Sequence, residues 1–239
     1  MSRLVFAFMR HGEYQQLKNT PSSWQPFALN SKGQTQAKSA APLIIDFCQQ
    51  NQLILEPVFD SSNMLRAWQT ADILINELNS IAYPEVNNQS FYKIKSYDAL
   101  AERGVGCAAN LSTTMIEQVI DDDPRYETLP SGWKSDSYFK LPFQGSESLL
   151  DAGQRVADHI RETLQQFNNT EQHDTLKVIV GHGAAFRHAA YHLGILKFEE
   201  IKKYSMFHAQ PIFFERLEKN WQHIGGDWKI RKKNSEYKD

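Results

Sequence analysis

Two histidines in this sequence share one local setting. His11 lies in Arg10-His11-Gly12, just past the apolar run Leu4-Val-Phe-Ala-Phe-Met9, and His182 lies in Gly181-His182-Gly183, just past Lys177-Val-Ile-Val180. A lone histidine at a strand end is usually structural. Two of them, with the same glycine flank at equivalent strand ends, point to one site. The glycines there would leave room for a ligand beside the backbone. Arg66 adds a third feature. It follows Asp60-Ser-Ser-Asn-Met-Leu65 and falls in the first turn of a helix, where a cation opposes the macrodipole. An anion bound at that helix end resolves the conflict. Arg10, Arg66 and the helix amides would then form a phosphate cradle, for which the bidentate fork of arginine is suited.

Such a site needs elements that bring the two histidines to one edge. The runs Leu4–Met9 and Lys177–Val180 are short and continuously apolar, the pattern of strands buried on both faces of a parallel sheet. Pro57–Asp60 reads as a further short strand. Ser31 is the expected N-cap of a helix reaching about Gln50, with Ala37, Ala40, Ala41, Ile44, Ile45 and Cys48 at helical spacing. A second helix is expected from about Met64 to Leu78 and a third, amphipathic, from Gly145 to about Phe167. A fourth follows Gly183 and runs through Leu193. Pro211–Leu217 and Trp228–Arg231 read as a terminal hairpin around Gly225-Gly226. The alternation of strands and helices predicts an α/β fold, a three-layer α/β/α sandwich with a mostly parallel central sheet. Ligands of such sheets bind outside the carboxyl ends of the strands. One domain is expected over residues 1–239, with 14–30 a loop and about 80–145 an irregular insertion covering the site.

Composition narrows the class. Of 239 residues, 41% are hydrophobic and 23% charged, and the formal net charge is −2. This is enough chain to bury a core, without the positive excess that nucleic acid or a membrane surface demands. The locally basic Lys229-Ile-Arg-Lys-Lys233 reads as a solvated strand end. Cys48 and Cys107 lack CxxC spacing and are expected as reduced thiols. MSRLVFAFMRHG has no cleavable signal architecture, and no apolar run reaches the ~18 residues of a membrane span; a cytoplasmic location is expected. Asp121-Asp122-Asp123 has no calcium-loop spacing after it. His188 and His192 stand four apart on a helix, a spacing that zinc can use, but with no HExxH glutamate and no third ligand they read as packing residues. No metal or other cofactor is expected.

The blocks that carry these features resemble those of the histidine phosphatase superfamily, in its phosphoglycerate-mutase-like branch. Phe8-Met-Arg10-His11-Gly12-Glu13 is similar to the RHG signature, and Ser61-Ser-Asn-Met-Leu-Arg66-Ala-Trp-Gln-Thr70-Ala71 to the block whose arginine binds phosphate. Leu100-Ala-Glu102-Arg103-Gly104 is similar to the block that supplies the proton donor, and Gly181-His182-Gly-Ala-Ala-Phe-Arg187 to the block with the second histidine. All four come in the family's order. The resemblance implies a phosphoric monoester hydrolase of the histidine acid phosphatase type. His11 attacks phosphorus and carries the phosphoryl group. Arg10, Arg66, His182 and Gly183 hold the phosphate, with His182 also catalytic. Glu102 protonates the leaving oxygen and then takes a proton from the hydrolytic water. Glu147, in Gly145-Ser-Glu-Ser148, is a second-choice acid or a capping residue.

The sequence departs from the cofactor-dependent mutases of that branch. It reads Glu13-Tyr14-Gln15-Gln16 after the signature, Trp24 lacks a preceding glycine, and no basic stretch for a second phosphate is apparent. This favours hydrolysis over mutase-type phosphoryl transfer. A non-catalytic protein that binds a phosphorylated ligand is the third reading. The expected partner is a small phosphorylated substrate or a phosphoprotein, with neither nucleic acid nor membrane involved; the sequence does not set the oligomeric state.

Overall fold

The structure, a computed structural model, describes residues 2–82, 91–167, 173–218 and 220–231. In chain order these form β1 (Leu4–Arg10), α1 (Ser31–Asn51), β2 (Ile54–Leu55), β3 (Val58–Ser62), α2 (Leu65–Ala82), β4 (Lys93–Tyr97), α3 (Thr113–Asp121) and α4 (Leu149–Phe167). They continue with β5 (Thr175–Gly181), α5 (Gly183–His192), α6 (Phe198–Ile201), β6 (Tyr204–Met206), β7 (Pro211–Arg216), β8 (Trp221–Gly225) and β9 (Trp228–Ile230).

The main sheet runs in the order β4-β3-β5-β1-β7-β8, with β2 paired to β5 beside β3. Strands β4, β3, β5 and β1 are parallel, and β7 and β8 continue antiparallel. The mostly parallel three-layer sandwich expected from sequence is thus present. Its layers follow from the period-two alternation of a strand. On β1, Val5, Ala7 and Met9 face Ala40, Ala41 and Ile44 of α1 and Leu74 and Leu78 of α2. Leu4, Phe6 and Phe8 face Val156, Ala157 and Ile160 of α4 and Phe186 and Ala189 of α5. Every residue of β1 and β5 is buried, which is why neither strand shows polar alternation. Phe8 stacks on Phe186 with centroids 5.3 Å apart; each such buried aromatic contributes about 1.5–3 kcal/mol relative to exposure.

Local structure departs from expectation in four places. Asn30, not Ser31, caps α1: its extended backbone lets the side chain accept from the Gly33 amide at 2.9 Å, and Ser31 is already helical. The helix α4 begins at Leu149 rather than at Gly145. Ser148 and Asp151 exchange side chain-to-amide bonds at 3.0 Å there, and that reciprocal cap fixes the start. Residues 80–145 are not uniformly irregular, because β4 pairs in parallel with β3 as a sheet edge; residues 83–90 lie outside the described residues. A separate apolar cluster of Val105, Ala108, Ile116, Trp133 and Leu141 supports the rest of this segment.

The terminal hairpin is the fourth departure. Strand β7 pairs with β8, which the sequence reading passed over, and β9 pairs with β6 in a separate two-stranded sheet. Gly226 ends β8 at φ +70°, where an added Cβ would lie 2.2 Å from the Pro211 carbonyl oxygen. Trp228 then packs on Tyr204 and Phe214. Of the basic stretch 229–233, Lys229 and Ile230 are in β9, and residues 232–233 lie outside the described residues.

His188 and His192 both hydrogen-bond within the fold, His188 with Ser137 and the Ala184 carbonyl and His192 with the Leu150 carbonyl. Among the described residues no group of three or more candidate metal ligands comes together, and no helix is long and apolar enough to cross a membrane. Cys48 and Cys107 are free, and burial pushes the Cys48 thiol up to about 11.

Candidate active site

The register of the sheet brings the two histidines together. Arg10 of β1 pairs with Gly181 of β5, and the His11 amide donates to the Gly181 carbonyl at 2.9 Å. The next residue on each strand is a histidine, and the two rings lie 5.1 Å apart, both buried. His182 is also the N-cap of α5.

Hydrogen bonding sets the state of His11. Its Nδ1 lies 2.7 Å from the Gly12 carbonyl oxygen, an acceptor, so Nδ1 carries the hydrogen. Its Nε2 lies 3.2 Å from Nε of Arg66. Arginine can only donate, so Nε2 presents its lone pair. Burial, followed by the charges of Arg66, His182 and Arg10, holds the His11 pKa well below its ordinary value. The ring is therefore a neutral Nδ1–H tautomer whose Nε2 lone pair faces the Arg66 guanidinium. His182 is held low by burial and by Arg66 and Arg10. Its Nε2 is 3.0 Å from the Ser62 hydroxyl, and its Nδ1 is buried without a hydrogen-bond partner.

Arg66 is fully buried. Its guanidinium donates to the carbonyls of Gln25 at 2.9 Å, Ser23 at 2.9 Å and Ser22 at 3.3 Å. Three carbonyl dipoles thus offset the charge that sequence reasoning assigned wholly to a bound anion. Thr70, one turn along α2, accepts from the Gly12 amide at 3.0 Å and donates to the Arg66 carbonyl at 2.7 Å, tying the histidine's loop to the arginine's helix. Arg10 is also buried, with one guanidinium nitrogen 3.3 Å from the Met206 carbonyl. The glycine flanks do not act as expected. A Cβ on Gly12 would lie 2.5 Å from the Gly33 carbonyl oxygen, and one on Gly183 would lie 3.1 Å from Cδ of Arg10. The space a Cβ would take is filled by the start of α1 and by the Arg10 side chain, so on that side these glycines admit protein atoms.

Glu102 is buried on the segment that follows a short 3₁₀ turn at Asp98–Leu100. One carboxylate oxygen accepts from the Arg103 amide at 3.0 Å, and its own carbonyl accepts from the Trp24 indole at 3.1 Å. Glu147 is engaged elsewhere. Arg155 grips both its oxygens, at 2.9 and 2.7 Å, and the Gly104 amide donates to it at 3.0 Å. Arg155 also donates to the carbonyls of Asp98, Ala99 and Ala101. The pair therefore clamps the turn on both sides of Glu102. Glu147 positions the segment and is neither a free acid nor the cap of α4.

A model of the histidine phosphatase superfamily, branch 1, matches residues 6–224 of the chain. The chain belongs to the histidine phosphatase superfamily. Among curated proteins, Phosphoglycerate mutase 3 of Saccharomyces cerevisiae is 34% identical over 71 residues, which is 29% of this chain and only 23% of that protein. Among solved structures, a mycobacterial glucosyl-3-phosphoglycerate phosphatase bound to inorganic phosphate superposes with a TM-score of 0.62 at 20% identity, over 94% of this chain and 96% of that one. The α-ribazole phosphatase of Shigella flexneri gives 0.67 at 17% identity, over 92% and 94%. At these identities the likeness is one of fold.

Within this superfamily fold, three participants escaped sequence reasoning. His208 lies with its ring 5.7 Å from His11 and its Nδ1 2.9 Å from the His11 carbonyl oxygen; burial and Arg10 push it down to about 4. The ring of Tyr14 covers the Arg66 guanidinium at 4.6 Å and meets His11 edge-on at 5.3 Å. The loop of Ser22, Ser23 and Gln25 supplies the carbonyls. None carries a local pattern that marks it, except that Tyr14 directly follows the signature.

Proposed function

We propose that this protein is a phosphoric monoester hydrolase that works through a phosphohistidine on His11. The observation that carries the reading is the state of His11: a buried neutral ring with Nδ1–H fixed on Gly12 and the Nε2 lone pair beside the Arg66 guanidinium. In the first step Nε2 attacks phosphorus and the ester P–O bond breaks in line. The transferring group spreads negative charge over its oxygens, so fixed cations lower the barrier. Arg10 and Arg66 supply that charge, with neutral His182 and the Gly183 amide, at the first turn of α5, as hydrogen-bonding groups. The unpartnered Nδ1 of His182 supports its place there. Glu102 gives a proton to the leaving oxygen. Glu102 then accepts a proton from water as the water displaces histidine from phosphorus, which returns both groups to their starting states. Nucleophile and charge come from side chains, so no metal is required.

The physiological substrate is proposed to be a small phosphorylated molecule. The test is kinetic. Phosphate release from p-nitrophenyl phosphate should fall at least ~10³-fold in His11→Ala, as for knocked-out nucleophiles elsewhere. Near-normal release by that variant removes the reading. Turnover confined to exchange of phosphate between phosphoglycerates would make the protein a mutase instead.

A further inference from the structure

The loop of residues 22–25 serves two parts of the site at once. Its backbone serves Arg66: the carbonyls of Ser22, Ser23 and Gln25 accept from the guanidinium, whose Nε is 3.2 Å from Nε2 of His11. Its side chains serve the segment that carries Glu102. The indole Nε1 of Trp24 donates to the Glu102 carbonyl at 3.1 Å, and the Ser23 hydroxyl accepts from the Val105 amide at 3.2 Å. The loop is itself braced, because the Gln25 side chain donates to the Pro21 carbonyl at 2.8 Å and accepts from the Leu17 amide at 2.9 Å. Ser23 and Gln25 are buried, whereas Trp24 is 48% exposed. About half of Trp24 therefore stays in water, yet its indole N–H, which can only donate, is committed to one backbone carbonyl. Gly104 makes room for the ring: a Cβ there would lie 3.3 Å from Cζ2 of the indole.

The reading of Glu102 as the proton donor gives this link a role, and the inference rests on it. A general acid must reach the departing oxygen while phosphorus is held at Arg66 and attacked by His11, so its placement relative to those two groups matters as much as its acidity. The clamp made by Glu147 and Arg155 ties the Glu102 segment to the start of α4. The Trp24 bond ties it instead to the loop that holds Arg66. We propose that Trp24 is a positioning residue for proton donation: its indole N–H on the Glu102 carbonyl, backed by Ser23 on Val105, registers the Glu102 carboxyl to the phosphate held at Arg66. Trp24 acts through Glu102 and needs no contact with the substrate. Without its N–H the segment keeps the α4 clamp, and the phosphate side keeps the loop carbonyls, but the two are no longer in register. The cost then falls only on reactions whose leaving group needs a proton.

Three esters of similar size test this on the full chain. p-Nitrophenyl phosphate releases a phenolate that is stable without a proton, phenyl phosphate a poorer one, and benzyl phosphate an alkoxide that must be protonated as it leaves. Wild type should turn over all three, and kcat/KM reports the steps through that release. Trp24→Phe keeps a ring and removes the donor. It should lose at least ~10-fold in kcat/KM on benzyl phosphate, less on phenyl phosphate and under about threefold on p-nitrophenyl phosphate, with inhibition by inorganic phosphate within about twofold of wild type. Glu102→Gln, which has no proton to give, should show the same gradation more steeply, at ~10²-fold or more on benzyl phosphate. If Glu102→Gln is graded while Trp24→Phe loses equally on all three esters or not at all, the inference alone is overturned, as it is if the loss in Trp24→Phe follows weaker phosphate inhibition. An ungraded Glu102→Gln, or wild-type turnover confined to p-nitrophenyl phosphate, overturns the donor reading and the inference with it; no turnover of any ester overturns the hydrolase reading as well. Should Trp24→Phe fail to fold, Ser23→Ala, which removes the acceptor of the Val105 amide, is judged by the same gradation.

Discussion

Arg66→Lys keeps the charge and removes the fork, and the structure says what that costs. The guanidinium serves three carbonyls and the His11 Nε2 at 2.9–3.3 Å from three differently directed nitrogens. An ammonium has three hydrogens on one nitrogen and cannot span four acceptors arranged around a plane. If the lysine keeps the phosphoryl side, the Ser22–Gln25 carbonyls lose buried donors. Each orphaned acceptor costs about 1–3 kcal/mol, so one or two of them amount to ~2–4 kcal/mol. For 239 residues, at ~2.1 cal/mol/K per residue, the unfolding entropy is about 0.5 kcal/mol/K, giving a Tm lower by ~4–8 °C. If the lysine instead stays with the loop, transition-state charge loses a fixed donor, worth about 10²–10³ in kcat. Either way the variant is impaired, and thermal unfolding with p-nitrophenyl phosphate kinetics on one sample tells which loss dominates. A variant with kcat/KM within threefold of wild type and Tm within 1 °C would refute the account of Arg66.

The clamp on Glu102 predicts that Glu147→Gln, which replaces the carboxylate gripped by Arg155 with a neutral amide, lowers kcat about tenfold with KM nearly unchanged, an effect of ~1.4 kcal/mol; an unchanged kcat in steady-state assays would release Glu147 from that role. Burial holds His188 at about 3 against an ordinary 6.5. Below pH 6.5 the unfolded chain therefore binds a proton that the folded chain does not, and stability falls as pH falls, with no such loss above pH 7. Urea unfolding at pH 7.5 and 5.5 should show His188→Gln losing about 1.4 kcal/mol less than wild type across that interval; equal losses would count against a buried neutral His188.

The positions of His11 and His182 were legible because a strand buried on both faces ends where its apolar run ends, and two such ends in parallel strands meet. Glu102 was legible only through its resemblance to a known block. The rest needed coordinates, for physical reasons. His208 and Tyr14 reach the site from loops, where no period reports which way a side chain turns. The glycines marked close approach correctly, but a sequence does not say what approaches, and here it is the α1 backbone and Arg10. Arg66 at a helix start signalled an unmet electrostatic need, yet carbonyls from Ser22 to Gln25 meet part of it. Strand β4 was hidden in a segment rich in prolines and short turns, and β8 in a polar run whose pairing depends on β7.

The central claim is that Nε2 of His11 carries the phosphoryl group, and trapping it is the direct measurement. Rapid quench of the enzyme with a phosphorus-labelled ester, followed by peptide mapping and phosphorus NMR, reads both the residue and the ring nitrogen. Because Nδ1–H is held on the Gly12 carbonyl at 2.7 Å, the label should be acid-labile, base-stable and on Nε2 of His11. Label on any other residue or on Nδ1, or phosphate release with no trapped intermediate at any quench time, would contradict the account.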